Sequence, residues 1–368
     1  MLRADQIEPR LKDHEGDIVI IAKGGGIAAF GSICRTFLNF IFRLILTRTM
    51  SLESVGLYFL GMTVMEFSKA FATIGLDNGL LKFASIAHGK NDVRQMKGYV
   101  MTAFKIAIPG TFLFSVILFF LSDIISLRLF HNPDMSKVMQ ILAVTIPVTV
   151  ATTICVFSIQ ACKQIKYRVY VQDITDPLIR IVALVVFVFM GYQLMGALTA
   201  YIISVVLSSF LGLYFLNKKL PFSTNGKITR SQRGDLLRFS LTQASASFIF
   251  TLANTLNIFM ISYFLVISDV GIYNVASKLV VIGTIFLFSF NQILNPMISD
   301  LASNSDFKRI QKNYQTVTKL ITVFSLPVYL VMIMFPRETL MIFGEGYVAG
   351  VNCLVILAIG QIVNSATG

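Results

Sequence analysis

The chain lacks tryptophan altogether and has little histidine, cysteine or charge. Charged residues make up 14% of its 368 residues, whereas a soluble domain carries about 25%. Its four cysteines have no zinc-site or disulfide spacing, and its three histidines form no metal-ligand set. The low charge excludes a soluble globular protein, and the spacing predicts neither a disulfide framework nor a metal site.

Motifs of common enzymes are missing as well. No phosphate-binding loop, HExxH zinc motif or nucleophile elbow occurs in the sequence. The glycines at 24–26 open an apolar segment and follow no strand, so they do not predict a dinucleotide site. The longest outer loop, residues 122–137, contains only two acidic residues, Asp123 and Asp134. The sequence therefore predicts a protein that is not an enzyme and needs no cofactor, with a membrane polymerase or ligase as the enzymatic alternative.

Apolar residues dominate what is present. They make up 55% of the chain and occur in long blocks separated by short charged stretches. A helix needs about 20 apolar residues to cross a bilayer, and barrel strands would alternate apolar and polar residues, which these blocks do not. The pattern predicts an all-α polytopic membrane protein with spans at residues 18–47, 55–81, 98–121, 138–161, 173–190, 194–216, 239–266, 270–297, 315–335 and 348–368.

The basic residues predict the orientation of the chain. The N-terminal tail and the alternate loops that follow it hold 20 Lys and Arg residues, whereas the opposite loops hold 4. By the positive-inside rule this places the N-terminus in the cytoplasm, and we expect the membrane to be the cytoplasmic (plasma) membrane. The net charge of +12 then indicates contact with anionic membrane lipids rather than with nucleic acid. No cleavable signal is visible, so we expect the first span to act as a signal anchor.

An internal repeat at an offset of 215 residues organises the chain. The offset aligns Ser32, Thr36 and Asn39 with Ser247, Thr251 and Asn254, and Val55, Gly56 and Tyr58 with Val270, Gly271 and Tyr273. The repeat predicts two six-helix lobes, an architecture typical of transporters with a site near the midplane. We expect a tail at 1–17, an N-lobe with six spans at 18–216, a basic cytoplasmic linker at 217–238 and a C-lobe at 239–368. Because the C-lobe shows only four spans, we expect it to be incomplete, with two or more helices missing at the C-terminus.

Polar side chains inside the predicted spans mark the candidate site, because such groups are costly in lipid and usually face a cavity. The candidate substrate-binding cations are Arg35, Arg43, Lys69 and Lys278. The candidate uncharged cavity residues are Ser32, Thr36, Asn39, Ser247, Asn254 and Asn257. The carboxylates Glu66, Asp77 and Asp176 are candidates for coupling to H⁺ or Na⁺. No catalytic residue and no metal ligand is predicted.

Structural roles remain open for the same residues. Arg43 can snorkel toward the outer face, and Arg35 can pair with a neighbouring carboxylate. Residues three or four apart can neutralise each other along a helix, as in the pairs Glu66–Lys69 and Asp176–Arg180. Uncharged polar residues can join helices by hydrogen bonds.

The two repeats differ in charge at equivalent positions. Phe250 and Ile258 stand in the second repeat where Arg35 and Arg43 stand in the first. The cations are therefore concentrated in the N-lobe. An asymmetric cationic cavity suits an anionic substrate such as a diphosphate headgroup, since Arg binds phosphate oxygens through two parallel hydrogen bonds.

Several short motifs, in this order and spacing, resemble those of a known family. They lie at residues 21–35, 46–48, 54–58 and 75–83 in the first half, and at 269–274, 343–347 and 356–360 in the second. With them the chain resembles the polysaccharide flippases of the multidrug/oligosaccharidyl-lipid/polysaccharide (MOP) exporter superfamily, which include O-antigen and teichoic-acid-type exporters. The resemblance covers nearly the whole chain.

The resemblance implies a MATE-like pair of lobes that transports by alternating access. The cargo would be a lipid-diphosphate-linked oligosaccharide moved to the outer leaflet, and polysaccharide-assembly proteins would be partners. Arg35, Arg43 and Lys69 occupy places comparable to the cavity cations of the family. A multidrug/cation antiporter of the same superfamily and a lipid-linked peptidoglycan-precursor flippase remain alternatives.

Overall fold

The computed structural model describes residues 4–220, 226–303 and 306–367. Every regular element within these residues is a helix, which confirms the predicted all-α class. Residues 1–3 of the predicted tail, residues 221–225 of the predicted linker and Gly368 lie outside the described part of the chain.

The described residues form fourteen α-helices. These are α1 (Ala4–Thr49), α2 (Leu52–Thr73), α3 (Leu76–Gly89), α4 (Val93–Arg128), α5 (Asp134–Ala161), α6 (Ile165–Arg168), α7 (Asp176–Phe189), α8 (Leu194–Lys219), α9 (Arg230–Phe264), α10 (Ile267–Val280), α11 (Thr284–Ser303), α12 (Phe307–Met334), α13 (Pro336–Met341) and α14 (Val351–Thr367). A π-helical turn, Val169–Thr175, joins α6 to α7. Short 3₁₀ turns join α10 to α11 (Val281–Gly283) and precede α14 (Glu345–Gly350).

Nine of the ten predicted spans have a matching candidate in the described part of the structure. Within the described residues, eight helical stretches are long and apolar enough to cross a membrane, and the bent pair α2–α3 is a ninth. The remaining predicted span, 173–190, belongs to a helical run that is unbroken from Ile165 to Phe189, because α6, the π turn and α7 follow one another without a gap. This run is longer than the ~20 residues that a full span requires, so the tenth span stays a prediction.

The connection between α8 and α9 is shorter than the predicted linker at 217–238. Helix α8 continues to Lys219 and α9 already begins at Arg230. A capping box starts α9: the Thr229 hydroxyl accepts from the Gln232 N–H at 3.3 Å, and the Gln232 side chain accepts from the Thr229 N–H at 2.9 Å. These two bonds satisfy backbone donors that a helix start otherwise leaves unpaired.

Helices crossing in alternating directions give the bundle two faces. We call proximal the face with the connections 90–92, 162–164 and 226–229, and distal the face with the connections 50–51, 129–133, 190–193, 265–266 and 342–350. Contacts between sequence-distant residues support this division. A Cβ on Gly98 would touch Ile228 on the proximal face, and Arg48 donates to the Ile342 carbonyl on the distal face.

The two halves of the chain form groups of helices that meet along α2 and α3. We call α1–α8 the N-lobe and α9–α14 the C-lobe, and α2 and α3 contact α9 and α10. Side chains such as Leu60, Leu80 and Ile146 are fully buried in the N-lobe, while Phe120 and Phe210 are exposed on the outside. Large exposed apolar surfaces of this kind are expected where helices face lipid.

Equivalent residues of the repeat meet at the lobe boundary. A Cβ on Gly271 would lie 3.2 Å from the nitrogen of its equivalent, Gly56. The Gly56 position faces the carbonyl of Ile267, and the Gly271 position faces the carbonyl of Leu52, which is the equivalent of Ile267. The contact is thus two-fold pseudo-symmetric, as in a self-complementary dimer interface.

A bend in the second span lies beside this boundary. Helices α2 and α3 meet at 49°, and Ile74 and Gly75 between them have φ values of 49° and 66°. A Cβ on Gly75 would lie 2.2 Å from the Ser240 carbonyl oxygen in α9. Glycine fits because it adopts positive φ without strain and allows the two backbones to approach.

Candidate functional site

Two adjoining cavities contain most of the predicted site residues. The interlobe cavity has a volume of about 340 Å³ and is lined from α1, α2 and α7 of the N-lobe and from α9 and α10 of the C-lobe. The intralobe cavity has a volume of about 390 Å³ and lies within the N-lobe. Both are lined by Arg35, Met62, Glu66 and Arg180, so these side chains form the partition between them.

The interlobe cavity has an excess of positive charge. Arg35, Arg43, Arg180 and Lys278 line it, and Glu66 is the one carboxylate among the described residues of its wall. Asn39 and Asn254, which the repeat aligns, line it from opposite lobes. A small rim pocket of about 130 Å³ adjoins it, lined by Thr36, Asn39, Arg43, Lys278, Phe343 and apolar neighbours. This arrangement can bind an anion between the lobes.

The intralobe cavity has balanced charge. Its described cations are Arg35, Lys69 and Arg180, and its described carboxylates are Glu66, Asp77 and Asp176. Thr149, Thr152 and Thr153 of α5 add hydroxyl groups to its wall. Within the part of the chain that the structure describes, no three His, Cys, Asp or Glu side chains converge as metal ligands.

Arg35 has a carboxylate partner. Its Nη1 lies 3.6 Å from Oδ1 of Asp173, which sits in the π turn before α7. The Asp173 side chain is 7% exposed and that of Arg35 is 47% exposed, so Arg35 pairs with Asp173 and still presents its guanidinium to both cavities. The π turn widens the helix locally, a feature that often marks functional sites.

Arg43 does not snorkel to the distal face. Its Nε is buried and has no hydrogen-bond partner among the described residues. The guanidinium carbon lies 5.7 Å from the centre of the Phe59 ring, within cation–π range. A buried guanidinium with an unpaired donor is costly; other atoms of Arg43 line the interlobe cavity.

Of the two charged pairs predicted along single helices, the described part of the structure contains one ion pair. Asp176 accepts from Arg180, so the pairing expected along that helix is present. Among the described residues no ion pair links Glu66 to Lys69, and each lines the intralobe cavity. Asp77 there accepts from the Asn78 N–H at 2.9 Å.

Three predicted polar residues lie outside the four cavities described. Ser32 is exposed and its carbonyl accepts from the Thr36 hydroxyl at 2.9 Å. Ser247 is partly buried and Asn257 is exposed. These residues were predicted to line a cavity because they share a helix face with residues that do line one. The cavity borders only part of each helix face, so these three residues lie outside it.

Arg180 lines both cavities, although the sequence predicts it only as the partner of Asp176. Its spacing from Asp176 indicates a self-neutralising pair, and the pair does form. The pair nevertheless faces inward: the guanidinium carbon lies 5.1 Å from the Tyr201 ring centre and 5.8 Å from that of Phe42. Only the packing of α7 against α1 reveals that Arg180 belongs to both cavities.

Comparison with known proteins gives a family match and a fold. A family model of polysaccharide biosynthesis proteins matches residues 21–302. No curated protein sequence matches the chain. An inward-facing multidrug resistance MATE family transporter of the MOP superfamily is similar in fold, with a TM-score of 0.72 at 14% identity, over 90% of this chain and 80% of that one.

Two further structures show the same fold. An outward-facing multidrug resistance MATE family transporter aligns with a TM-score of 0.58 at 14% identity, over 94% of this chain and 81% of that one. A MATE structure in a bent conformation aligns with a TM-score of 0.57 at 14% identity, over 95% and 82%.

Proposed function

Since the chain belongs to the polysaccharide biosynthesis protein family and has the fold of MOP-superfamily transporters, we propose that it is a flippase for a lipid-diphosphate-linked oligosaccharide. The cargo crosses the cytoplasmic membrane by alternating access between the lobes. Membrane lipids and polysaccharide-assembly proteins are its proposed partners.

The charge of the interlobe cavity is the observation that carries this proposal. Four cations and one carboxylate face a space between two lobes that must separate for transport. A diphosphate carries several acceptor oxygens and negative charge, and Arg donors match them in geometry. Arg43 lines this space and takes part in none of the ion pairs among the described residues, so its charge is left for the headgroup to neutralise. Arg35, Arg43, Arg180 and Lys278 are therefore the proposed headgroup-binding residues.

The proposed transport cycle starts from a state that is closed on the distal face. There the N-lobe Arg48 donates to the C-lobe carbonyls of Ile342 and Met341 at 2.7 and 2.9 Å. The Phe40 and Phe343 rings meet across the lobes with centroids 5.6 Å apart. The Lys- and Arg-rich proximal face is the proposed cytoplasmic side, so the headgroup would enter from the cytoplasmic leaflet.

The intralobe cavity is the proposed coupling site. Its charges balance, so binding of H⁺ or Na⁺ changes the net charge beside the partition. Glu66 is the best placed carboxylate, because it lines both cavities. Protonation of Glu66 would remove negative charge near Arg43 and Arg180 and so strengthen anion binding between the lobes.

A multidrug/cation antiporter is the second candidate, favoured by the fold of the similar solved structures. Organic cations bind best in acidic, aromatic pockets. The excess of cations in the interlobe cavity disfavours that substrate class. A lipid-linked peptidoglycan precursor shares the diphosphate, so it remains an alternative cargo for the same site.

The experiment follows a fluorescent lipid-diphosphate-linked oligosaccharide in proteoliposomes containing the protein. A membrane-impermeant quencher reports movement between leaflets, with and without an ion gradient. We expect Arg43→Met to slow movement about tenfold or more, equivalent to at least ~1.4 kcal/mol of lost stabilisation. Arg128→Met, at an exposed distal position, is the matched control and should move lipid at the original rate.

A second lipid separates headgroup recognition from sugar recognition. It carries the same oligosaccharide through an uncharged linkage and should not move. Equal movement of both lipids, or full activity of Arg43→Met in folded protein, would contradict the headgroup assignment. Movement of an organic cation in place of both lipids would establish the antiporter.

A further inference from the structure

The largest cavity described in the chain lies away from the cationic site, on the distal face. This distal crevice has a volume of about 750 Å³, within the ~300–1,000 Å³ typical of small-ligand pockets. Three distal connections form it, two from the N-lobe and one from the C-lobe. Its polar and aromatic lining includes Glu53, His131, Asn132, Tyr263 and Ser268.

The repeat shows that this space is not a necessary consequence of the architecture. At the offset of 215 residues, Tyr263 corresponds to Arg48, and His131 to Gly346. In that equivalent region the chain fills the space itself. Arg48 bonds to the Ile342 carbonyl, a Cβ on Gly346 would lie 2.7 Å from Leu52, and Tyr347 is buried. The chain therefore closes one of two pseudo-symmetric positions and leaves the other open.

Polar groups in the crevice are held in fixed orientations. The Asn132 side-chain oxygen accepts from the Asp134 N–H at 2.9 Å, and its Nδ2 lies 3.4 Å from a Glu53 carboxylate oxygen. His131 has a φ of 51°, and its ring lies against that of Tyr263 across the lobe boundary, with centroids 5.5 Å apart. Pre-oriented polar groups reduce the entropy lost when a ligand binds.

The chemistry of the lining selects the ligand class. No Lys or Arg is among the described residues of the crevice wall, and Glu53 would repel an anion. A carboxylate, a carboxamide, an imidazole, a phenol and serine hydroxyls supply both donors and acceptors beside aromatic rings. This set matches a neutral sugar, whose hydroxyls need both donors and acceptors and whose ring has an apolar face.

We infer that the distal crevice is a binding site for a neutral saccharide, separate from the cationic site for the headgroup. The crevice spans the two lobes, so a bound saccharide favours the distally closed arrangement that forms it. The inference rests on the proposed function only in that the natural saccharide would be the sugar part of the exported cargo or the released glycan.

The absence of tryptophan allows a direct experiment. Tyr263→Trp places the only tryptophan of the chain in the crevice and retains an aromatic ring. We expect saturable fluorescence changes on titration with a soluble neutral maltooligosaccharide or chitooligosaccharide. Tyr192→Trp, at an exposed distal position outside the crevice, is the control reporter and should not respond.

Substitutions in the reporter background locate the site. Asn132→Asp keeps the oxygen that caps Asp134 but removes the amide donor beside Glu53, and should weaken binding about tenfold. Arg337→Met should leave binding unchanged, because Arg337 is exposed in α13 and lines none of the cavities described.

Each outcome distinguishes this inference from the proposed transport. Saccharide binding without lipid movement by the original protein would uphold the crevice and overturn the flippase. Lipid movement without a reporter response would uphold the flippase and overturn the saccharide site in the crevice. A response to choline or to pyrophosphate but not to sugars would overturn the saccharide assignment, as would equal responses of both reporters. Competition by the lipid-linked oligosaccharide would identify the cargo, rather than released glycan, as the source.

Discussion

At the scale of single residues, the described cavity cations differ in how their charge is compensated. Arg180 has Asp176 and two aromatic rings, Arg35 has Asp173, and Arg43 has an aromatic ring but an unpaired Nε. Buried charges are tolerated when paired and are costly when one partner is removed. The degree of compensation therefore separates Arg180 and Arg35, which have carboxylate partners, from Arg43, which is proposed above to bind the headgroup.

The Arg35–Asp173 pair gives a stability prediction. Arg35→Ala leaves the nearly buried Asp173 carboxylate without this partner, and should lower the free energy of unfolding by about 1–3 kcal/mol. Arg35→Ala with Asp173→Asn should recover most of that loss, because the uncharged amide tolerates burial better. Thermal unfolding in detergent measures both, with Arg128→Ala as the exposed control. Equal unfolding temperatures for the single and double variants would show that the pair does not stabilise the fold.

Cys162 gives a prediction of pH dependence outside the spans. Burial raises the pKa of its thiol to about 11, against the opposing effect of Lys219. The folded protein therefore holds the thiol proton more tightly than the unfolded chain, and stability should fall as pH rises from the unfolded thiol pKa toward 11. With Cys162 as the only cysteine, alkylation should accelerate about tenfold per pH unit up to that value, because the thiolate is the reactive form. A rate plateau already reached near pH 9 would contradict the raised pKa.

The cost of polar groups in lipid allows the sequence to predict which residues line a cavity, but not what they bind. Arg35, Arg43 and Lys278 were predicted and line the interlobe cavity. The role of Arg180 was not predictable, because spacing on one helix shows a pair but not what the pair faces. Ser32 and Asn257 show the converse limit, since a helix face is broader than the cavity it borders.

At the scale of elements, local signals explain the ends and breaks of helices. The Thr229–Gln232 capping box fixes the start of α9, and Ile74 and Gly75 fix the bend between α2 and α3. The T-x-x-Q pattern is visible in the sequence and could have shortened the predicted linker. The π turn before α7 leaves no comparable sequence signal, so it emerges only from the fold.

The α2–α3 bend supplies a prediction with a matched control. Gly75→Ala should lower the free energy of unfolding by about 2–4 kcal/mol, because alanine at positive φ is strained and its Cβ would clash with the Ser240 carbonyl. Gly89→Ala lies at the end of α3, where a Cβ meets no atom within 4 Å. It should be neutral or slightly stabilising, since alanine is the better helix former. Thermal unfolding of the two variants measures this difference. Equal unfolding temperatures would show that the bend can accommodate a Cβ at Gly75 and does not require glycine.

At the scale of the whole molecule, contacts between the lobes close the distal face in this structure. Two hydrogen bonds from Arg48 and the Phe40–Phe343 ring pair join the lobes there. The repeat and the two-lobe architecture were predictable from the 215-residue offset and the polar pattern. The arrangement of the lobes was not predictable from the sequence. The same sequence must encode the lobe contacts of every conformation in the transport cycle, whereas this structure shows one conformation.

Arg48 gives a prediction for the lobe equilibrium. Arg48→Gln removes the charge-assisted bonds to the Met341 and Ile342 carbonyls, and should shift the equilibrium toward a distally open state by up to about tenfold. In a background without native cysteines, Thr36→Cys in the rim pocket reports opening. A membrane-impermeant maleimide added on the distal side should then label it faster.

The matched control for this prediction is Arg337→Gln. Arg337 is also exposed and basic, and it lies in α13 near the same rim. It should leave the labelling rate unchanged. Identical rates for the Arg48 and Arg337 variants would show that the Arg48 bonds do not hold the distal face closed.

The glycine contact between the lobes sits off-centre along the helices that it joins. Gly56 lies one turn from the distal end of α2, so a rotation of α2 about this contact would move its two ends by different distances. At ~1.5 Å per residue, the part of α2 on the distal side of Gly56 is about 6 Å long and the part on the proximal side about 25 Å, a ratio of about four. A small parting of the distal rim would thus accompany a wide swing at the proximal end. For the proposed oligosaccharide cargo, such a pivot would allow a wide opening on the proximal side and a narrow opening on the distal side, through which the chain of sugars would pass lengthwise.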